Sequence, residues 1–524
     1  MKIQPMNPKE KQIFYLIFIM LIILNLFLIL GMRLMPFIDL PQHLAYTTIY
    51  KHIGEEDNAF DRYYEFGDLT FKHNSLYPLF CSLDVWGNVE TGNKIYFILY
   101  VILLPVSVLL LIKKLNGNPW LALLSFLFIY HFNVSWGFVG FLMSVPLCLL
   151  TLTVQYDYLT RPSAMSIVFI ILLSILLYST HVLSAIILFG LLLCQHCIYY
   201  RKSFKNLFIR SIVYIPGILL YLFWFMSRGK ISKFGSDVQL LDYYIGPFWD
   251  SIPNRIGGLF YFNHYFLYEG KAGQIIGFVF ILFVVLCLVG QFKFSKVHPS
   301  LKKPNALFAL NIPVYYFLIY FFLFSIQGIM VFSFYRFSVF VFLGLIAAGS
   351  LAIKYQFRIL RYSAMTLAGI IYFMLWSDYF TTFQIENKSF DKTLFKELER
   401  DKILAGLMYY PLFRGQPHYI HFPDYYITWH RGIETLNLLD GYPNYQLKRK
   451  VSMKMLPSAM EWVGVLRHYD GRFNHMDYLL IRGKVPPDKV KMIDEHFEIM
   501  RRRDPWYLLR NRHSHSNGMH SNDS

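Results

Sequence analysis

Apolar runs near membrane-spanning length recur along the chain, separated by polar segments of very unequal size. A helix needs about 20 mostly apolar residues to cross the ~30 Å hydrocarbon core of a bilayer. On that measure spans are predicted at about 13–35, 95–112, 119–132, 137–155, 164–180, 182–200, 211–226, 273–290, 307–327, 338–353 and 364–380, about eleven helices in all. The third run is short and reads as a half-span or a tilted helix beside the polar turn at Asn133 to Trp136. The first is too long for a removable signal peptide and lacks its small-residue cleavage site.

Beyond residue 380 the pattern changes. Ser389 to Asp401 reads as a helix. Ile403–Tyr409, Tyr478–Ile481 and Phe497–Leu509 read as strands, the last as a hairpin turning near Arg503-Asp504-Pro505. The expected architecture is a polytopic α-helical membrane module at 1–380, with outer loops at 36–94 (carrying interfacial helices) and 227–272. A small extracytoplasmic α/β domain follows at 381–511, and then a disordered polar tail at 512–524. The histidines of that tail are a weaker case for metal binding.

Composition agrees with the spans. The chain is 55% hydrophobic, only 16% charged, and has a mean hydropathy of +0.39. Soluble domains carry about 25% charged residues, so a disordered, collagenous or coiled-coil protein is excluded. The five cysteines are too few for a disulfide framework. Cys194-Gln-His-Cys197 has a metal-site spacing but lies inside an apolar run with no second pair, and reads as lipid-facing or packed thiols.

The net charge of +17 is explained by topology. Lys2, Lys9, Lys11, Lys113, Lys114, Arg161, Arg201, Lys202, Lys205, Arg210, Lys293, Lys296, Lys302, Lys303, Lys354, Arg358 and Arg361 all fall on one side of the predicted spans. The 36–94 loop on the other side holds nine acidic residues against four basic ones. The positive side faces the cytoplasm, so the N-terminus is placed inside, the C-terminal domain outside, and no nucleic-acid partner is needed.

The spans carry almost no charge at their centres, which argues against an ion-coupled transporter. Matched broken helices are also missing. Polar residues gather instead at the outer boundary. The sharpest group is Phe37-Ile38-Asp39-Leu40-Pro41-Gln42-His43. Pro41 suits a first helical turn and Asp39 its N-cap, with His43 one turn further on. An Asp that merely caps an interfacial helix explains this segment as well as a catalytic carboxylate does.

The arrangement of a first span, an Asp at its outer end, a long outer loop, many further spans and an extracytoplasmic C-terminal domain resembles the GT-C superfamily of membrane glycosyltransferases. The Asp39-x-Pro41-x-His43 form is similar to that of a little-described bacterial branch. So are Trp136-Gly-Phe-Val-Gly-Phe-Leu-Met-Ser-Val-Pro146, Tyr178-Ser-Thr-His181, Asp477-Tyr-Leu-Leu-Ile-Arg-Gly483 and Trp506-Tyr-Leu-Leu-Arg510. The resemblance implies transfer of a sugar from a polyprenyl-phosphate donor to a glycan, lipid-linked saccharide or protein acceptor, at the outer face of a bacterial cytoplasmic membrane. It implies Asp39 as general base. A second acidic residue, which many relatives carry, is not aligned here.

From position, His43 is the expected support of Asp39, and Arg336 and His181 are the expected contacts of donor phosphate. Each has a plain alternative: His181 as a packed or snorkelling ring, Arg336 as a snorkelling span end. Arg255, His264 and Glu269, in the aromatic 227–272 loop, are candidates for substrate contact, although aromatics at this depth commonly form an interfacial belt. Asp61, Glu65 and Asp68 read as a solvated helix face, with a second carboxylate or a metal ligand among them as the alternative. No cofactor is predicted and no metal site is assigned, a divalent metal remaining open. The competing class is a non-enzymatic lipid-linked saccharide transporter or an assembly scaffold.

Overall fold

The computed structural model describes residues 7–67, 72–227, 252–261, 263, 267, 304–322, 326–327, 330–331, 334–351, 358–434, 446–450 and 476–513. Among these, seven helices are long and apolar enough to cross a membrane: Pro8–Gly31, Val89–Lys114, Val139–Thr160, Val182–Tyr200, Phe204–Phe223, Asn305–Phe322 and Ile359–Glu386. That is the helix content of an integral membrane protein.

The expected spans at 119–132, 164–180 and 338–353 correspond to shorter apolar helical stretches than these seven, Pro119–Ser135, Ala164–Thr180 and Tyr335–Gly349. At ~1.5 Å per residue, such helices fall short of a ~30 Å core. Pro119–Phe128 is moreover a 3-10 helix, buried from Trp120 onward. Such backbone survives at membrane depth only where protein covers it. The run at 273–290 lies outside the described residues, as does the tail from 514.

The chain divides into two compact units. One comprises Met1–Met32, His73–Tyr77 and Lys94–Tyr379; the other comprises Arg33–Lys72, Pro78–Asn93 and Phe380–Ser524. In the first, Val139–Thr160 packs on Ala164–Thr180 and Val182–Tyr200, and Pro304–Phe322 on Ser338–Gly349. Small residues permit the close crossings. A Cβ on Gly344 would stand 2.8 Å from the Pro313 nitrogen.

Nine strands occur among the described residues: β1 Tyr64–Phe66, β2 Ile326–Gln327, β3 Met330–Val331, β4 Ile403–Met408, β5 Ile433–Glu434, β6 Leu447–Arg449, β7 Tyr478–Arg482, β8 Phe497–Arg503 and β9 Trp506–Asn511. The second unit is organised around a five-stranded sheet of order β5-β4-β7-β9-β8. β4 runs parallel to β5 and β7, whereas β9 is antiparallel to β7 and β8. Every residue of β7 is buried, as expected of a central strand. The helix Pro487–His496 puts Ile493 into a core with Ala405, Leu407, Leu479, Ile481 and Leu509.

Most of the long loop after the first apolar helix, residues 36–72 and 78–93, is part of this unit. β1 pairs antiparallel with β6. Ala45, Tyr46, Ile49, Phe60 and Tyr64 share one core with Ile427, Ile433 and Leu447. The Tyr46 hydroxyl donates to Gln446 Oε1 at 2.6 Å. The helix Leu40–His52 is accordingly buried over most of its length, rather than lying half-exposed at an interface.

The helix expected over Ser389–Asp401 does not form; only a 3-10 turn at Lys392–Leu394 does. Asp391 caps Thr393 at 2.8 Å and pairs with Arg503 at 3.0 Å. Phe390 and Phe395 turn into an aromatic core with Phe422, Tyr426, Trp429 and Trp506. Tertiary packing here outweighs helix propensity.

Candidate functional site

In the second unit the segment leading to Asp39 is pinned at several points. The Arg33 guanidinium donates to the carbonyls of Asn387 and Phe390, each at 2.6 Å, closing the end of the Ile359–Glu386 helix. Gln384 accepts from the backbone N–H groups of Arg33 and Leu34 at 3.0 and 3.1 Å and donates back to the Leu34 carbonyl. His418, buried among Phe383 and Phe413, bonds to the Pro36 carbonyl. Burial pushes the His418 ring down to about 3, the bond to Pro36 only partly opposing it.

Asp39 then occupies the residue before the Leu40–His52 helix, with Pro41 in the first turn. A capping residue normally has extended backbone and turns its oxygen onto the first free N–H groups. Asp39 instead has φ −86° and ψ −3° and makes no side-chain capping bond. Its carboxylate faces His421: Oδ1 lies 3.4 Å from Nε2, with the two side chains 21% and 5% exposed. The other ring nitrogen, Nδ1, lies 4.0 Å from Asp424 Oδ2, and the Asp424 side chain is fully buried. Asp424 in turn ends the 3-10 turn Phe422–Asp424, which runs straight into the Tyr425–His430 helix, and its side chain makes no capping bond.

His43 is half-buried one turn along the first helix, and its backbone N–H donates to the Asp39 carbonyl at 3.2 Å. An imidazole 3.4 Å from the Asp39 carboxylate is that of His421, a residue the sequence reading did not single out. The one signal was a Pro in a first helical turn flanked by His and Asp, in His421-Phe-Pro-Asp424. The turn is shaped by β4. A Cβ on Gly406 would come within 2.1 Å of Pro423 Cγ, so the strand makes room for Pro423 only by having no side chain.

The first unit brings Arg336 and His181 together around Phe141. The Arg336 guanidinium lies 3.7 Å from the Phe138 ring centroid and 5.9 Å from that of Phe141. The His181 ring packs edge-on against Phe141 at 5.0 Å. Arg336 and His73 both act electrostatically on His181. All three side chains are largely buried. His181 caps the Val182–Tyr200 helix, accepting from Ser184 N–H at 3.4 Å. Arg336 sits in the turn before Ser338–Gly349. The Arg336 cation thus stands near two helix N-termini, whose dipoles add to the same sign and favour an anion. Gly140 allows the approach: a Cβ there would stand 2.6 Å from the Thr180 carbonyl oxygen.

Arg255 is placed differently. Its guanidinium donates to the carbonyls of Tyr320 and Phe321 at 3.1 and 2.9 Å and stacks on Phe334 at 4.1 Å. It thereby satisfies the C-terminal carbonyls of the Pro304–Phe322 helix. His264, Glu269 and Asp68 lie outside the described residues, whereas Asp61 and Glu65 are exposed. Among the described residues no group of three or more His, Cys, Asp or Glu gathers to hold a metal ion. No protein-family profile and no curated protein matches the chain.

Proposed function

We propose that this protein is an integral membrane glycosyltransferase of GT-C type. It transfers a sugar from a polyprenyl-phosphate donor to a glycan, lipid-linked saccharide or protein acceptor at the outer face of the membrane. The observation that carries the reading is the Asp39 carboxylate. It stands at a capping position and does not cap, and it keeps a fifth of its surface accessible.

In the reaction the acceptor oxygen bonds to the anomeric carbon as the bond from that carbon to the phosphate oxygen breaks. The bonding pair leaves with the polyprenyl phosphate, the acceptor proton passes to Asp39, and the anomeric configuration inverts. A positioned carboxylate base contributes about 10²–10⁴-fold to such a step. The developing phosphate charge needs cationic or hydrogen-bonding support, for which the proposal takes Arg336 as the cation and His181 as a hydrogen-bonding ring.

The test uses purified full-length protein with undecaprenyl-phosphate glucose, mannose, galactose and arabinose. Wild type should release undecaprenyl phosphate with at least one of them. Asp39→Asn should lose at least about 10²-fold in rate. Equal rates would remove Asp39 as base, and donor binding by wild type without release of undecaprenyl phosphate would favour a carrier.

A further inference from the structure

We propose that His421 and Asp424 are positioning residues for Asp39. The His421 ring bridges a reachable carboxylate and a buried one, and fixes which Asp39 oxygen meets the acceptor hydroxyl. This rests on the reading of Asp39 as base.

Three features carry it. The first is the linear order of contacts, Asp39 Oδ1 to His421 Nε2 at 3.4 Å and His421 Nδ1 to Asp424 Oδ2 at 4.0 Å. The second is the fall in side-chain exposure along that line, from 21% through 5% to 0%. The third is that Asp39 stands at a helix N-cap and does not cap, while Asp424 is held in the 3-10 turn Phe422–Asp424 that begins beside His421. An N-cap bond stabilises a helix, so the Leu40–His52 helix forgoes that stabilisation while the Asp39 carboxylate faces the ring. The αR backbone of Asp39, unlike the extended backbone of a working cap, turns its side chain away from the helix N–H groups.

The chemistry follows from donor counting. The proposal assigns the ring protons so that Nε2–H donates to Asp39 Oδ1, leaving Oδ2 to accept the acceptor's proton. Asp424 lies behind Nδ1 and holds the ring plane, as a carboxylate orients the base in a hydrolase triad. During transfer the ring keeps its own protons, the acceptor's proton ends on Asp39 Oδ2, and the electron pair leaves with the lipid phosphate. A carboxylate free to rotate would present its base oxygen only part of the time, and small misplacements of reacting groups cost up to about 10²-fold.

The experiment compares wild type, Asp39→Asn, His421→Gln and Asp424→Asn as full-length proteins, with whichever of the four undecaprenyl-phosphate sugars wild type turns over. It also includes both double variants on the Asp39→Asn background, and thermal melting of each protein. His421→Gln and Asp424→Asn should each lower kcat by about 10²-fold with donor KM nearly unchanged. Neither should lower the residual rate of Asp39→Asn further, because residues acting as one unit are non-additive. Near-wild-type kcat in both variants, with Asp39→Asn inactive, would overturn the positioning role and leave the base standing. Losses that multiply equally on both backgrounds, tracking a lowered melting temperature, would also overturn it in favour of a packing role. Full activity of Asp39→Asn would remove the base and this inference with it.

Discussion

Lowering the pH from 7.5 to 5.0 should loosen the segment that carries Asp39, through the single ring of His418. That ring is 1% exposed, and burial lowers it from the ordinary 6.5 to about 3. The folded protein therefore holds the ring neutral, while the unfolded chain binds a proton below 6.5. Its stabilising contribution is complete above 6.5, is lost as pH falls below that value, and stops changing below about 3, where the folded ring is protonated too. At pH 5.0 the loss amounts to about 2 kcal/mol, or about 30-fold in the opening equilibrium. Hydrogen exchange of Leu40–Tyr46 and Tyr419–Asp424, corrected for the intrinsic pH dependence, reads this directly. His418→Gln can still donate to the Pro36 carbonyl but does not titrate, so its protection should change much less between the two pH values. The half-buried His430, also lowered by burial, acts with the same sign in both proteins, so the comparison isolates His418. Equal loss of protection in wild type and His418→Gln would refute the reasoning.

Two further outcomes follow from contacts. Gly406→Ala should cost about 1–3 kcal/mol through overpacking against Pro423, seen as a lowered melting temperature, and should reduce kcat by displacing His421; an unchanged melting temperature would show that the turn relaxes freely. Arg336→Lys keeps the charge but loses the planar stack on Phe138. It should raise donor KM about tenfold, equivalent to ~1.4 kcal/mol, with kcat changed less; an unchanged KM would discard Arg336 as a donor contact.

Much of the secondary structure was legible where periodicity is local. The hairpin at Arg503-Asp504-Pro505 is formed by β8 and β9, and the runs at Ile403–Tyr409 and Tyr478–Ile481 became β4 and β7. Ser389–Asp401 misled because its apolar residues fit a helical spacing while the aromatic core claims Phe390 and Phe395. The strand β5 and the helix Pro487–His496 carried no signal strong enough to assign. The helix start at Asp39 and Pro41 was legible because a Pro-containing helix start after an apolar run is a local pattern; the His421 ring beside Asp39 was not, since it is near only in space.

The sequence by itself determined the apolar segments and the acidic and basic asymmetry of their connections. Each such segment answers to lipid on its own: its length, its composition and its internally bonded backbone suffice. Only the tertiary structure decided that the loop after the first apolar helix shares a core and a strand pairing with the C-terminal region. It alone set His421 between Asp39 and Asp424, because which distant segments meet is settled by side-chain volume and packing, as where Gly406 admits Pro423, and no local period records that.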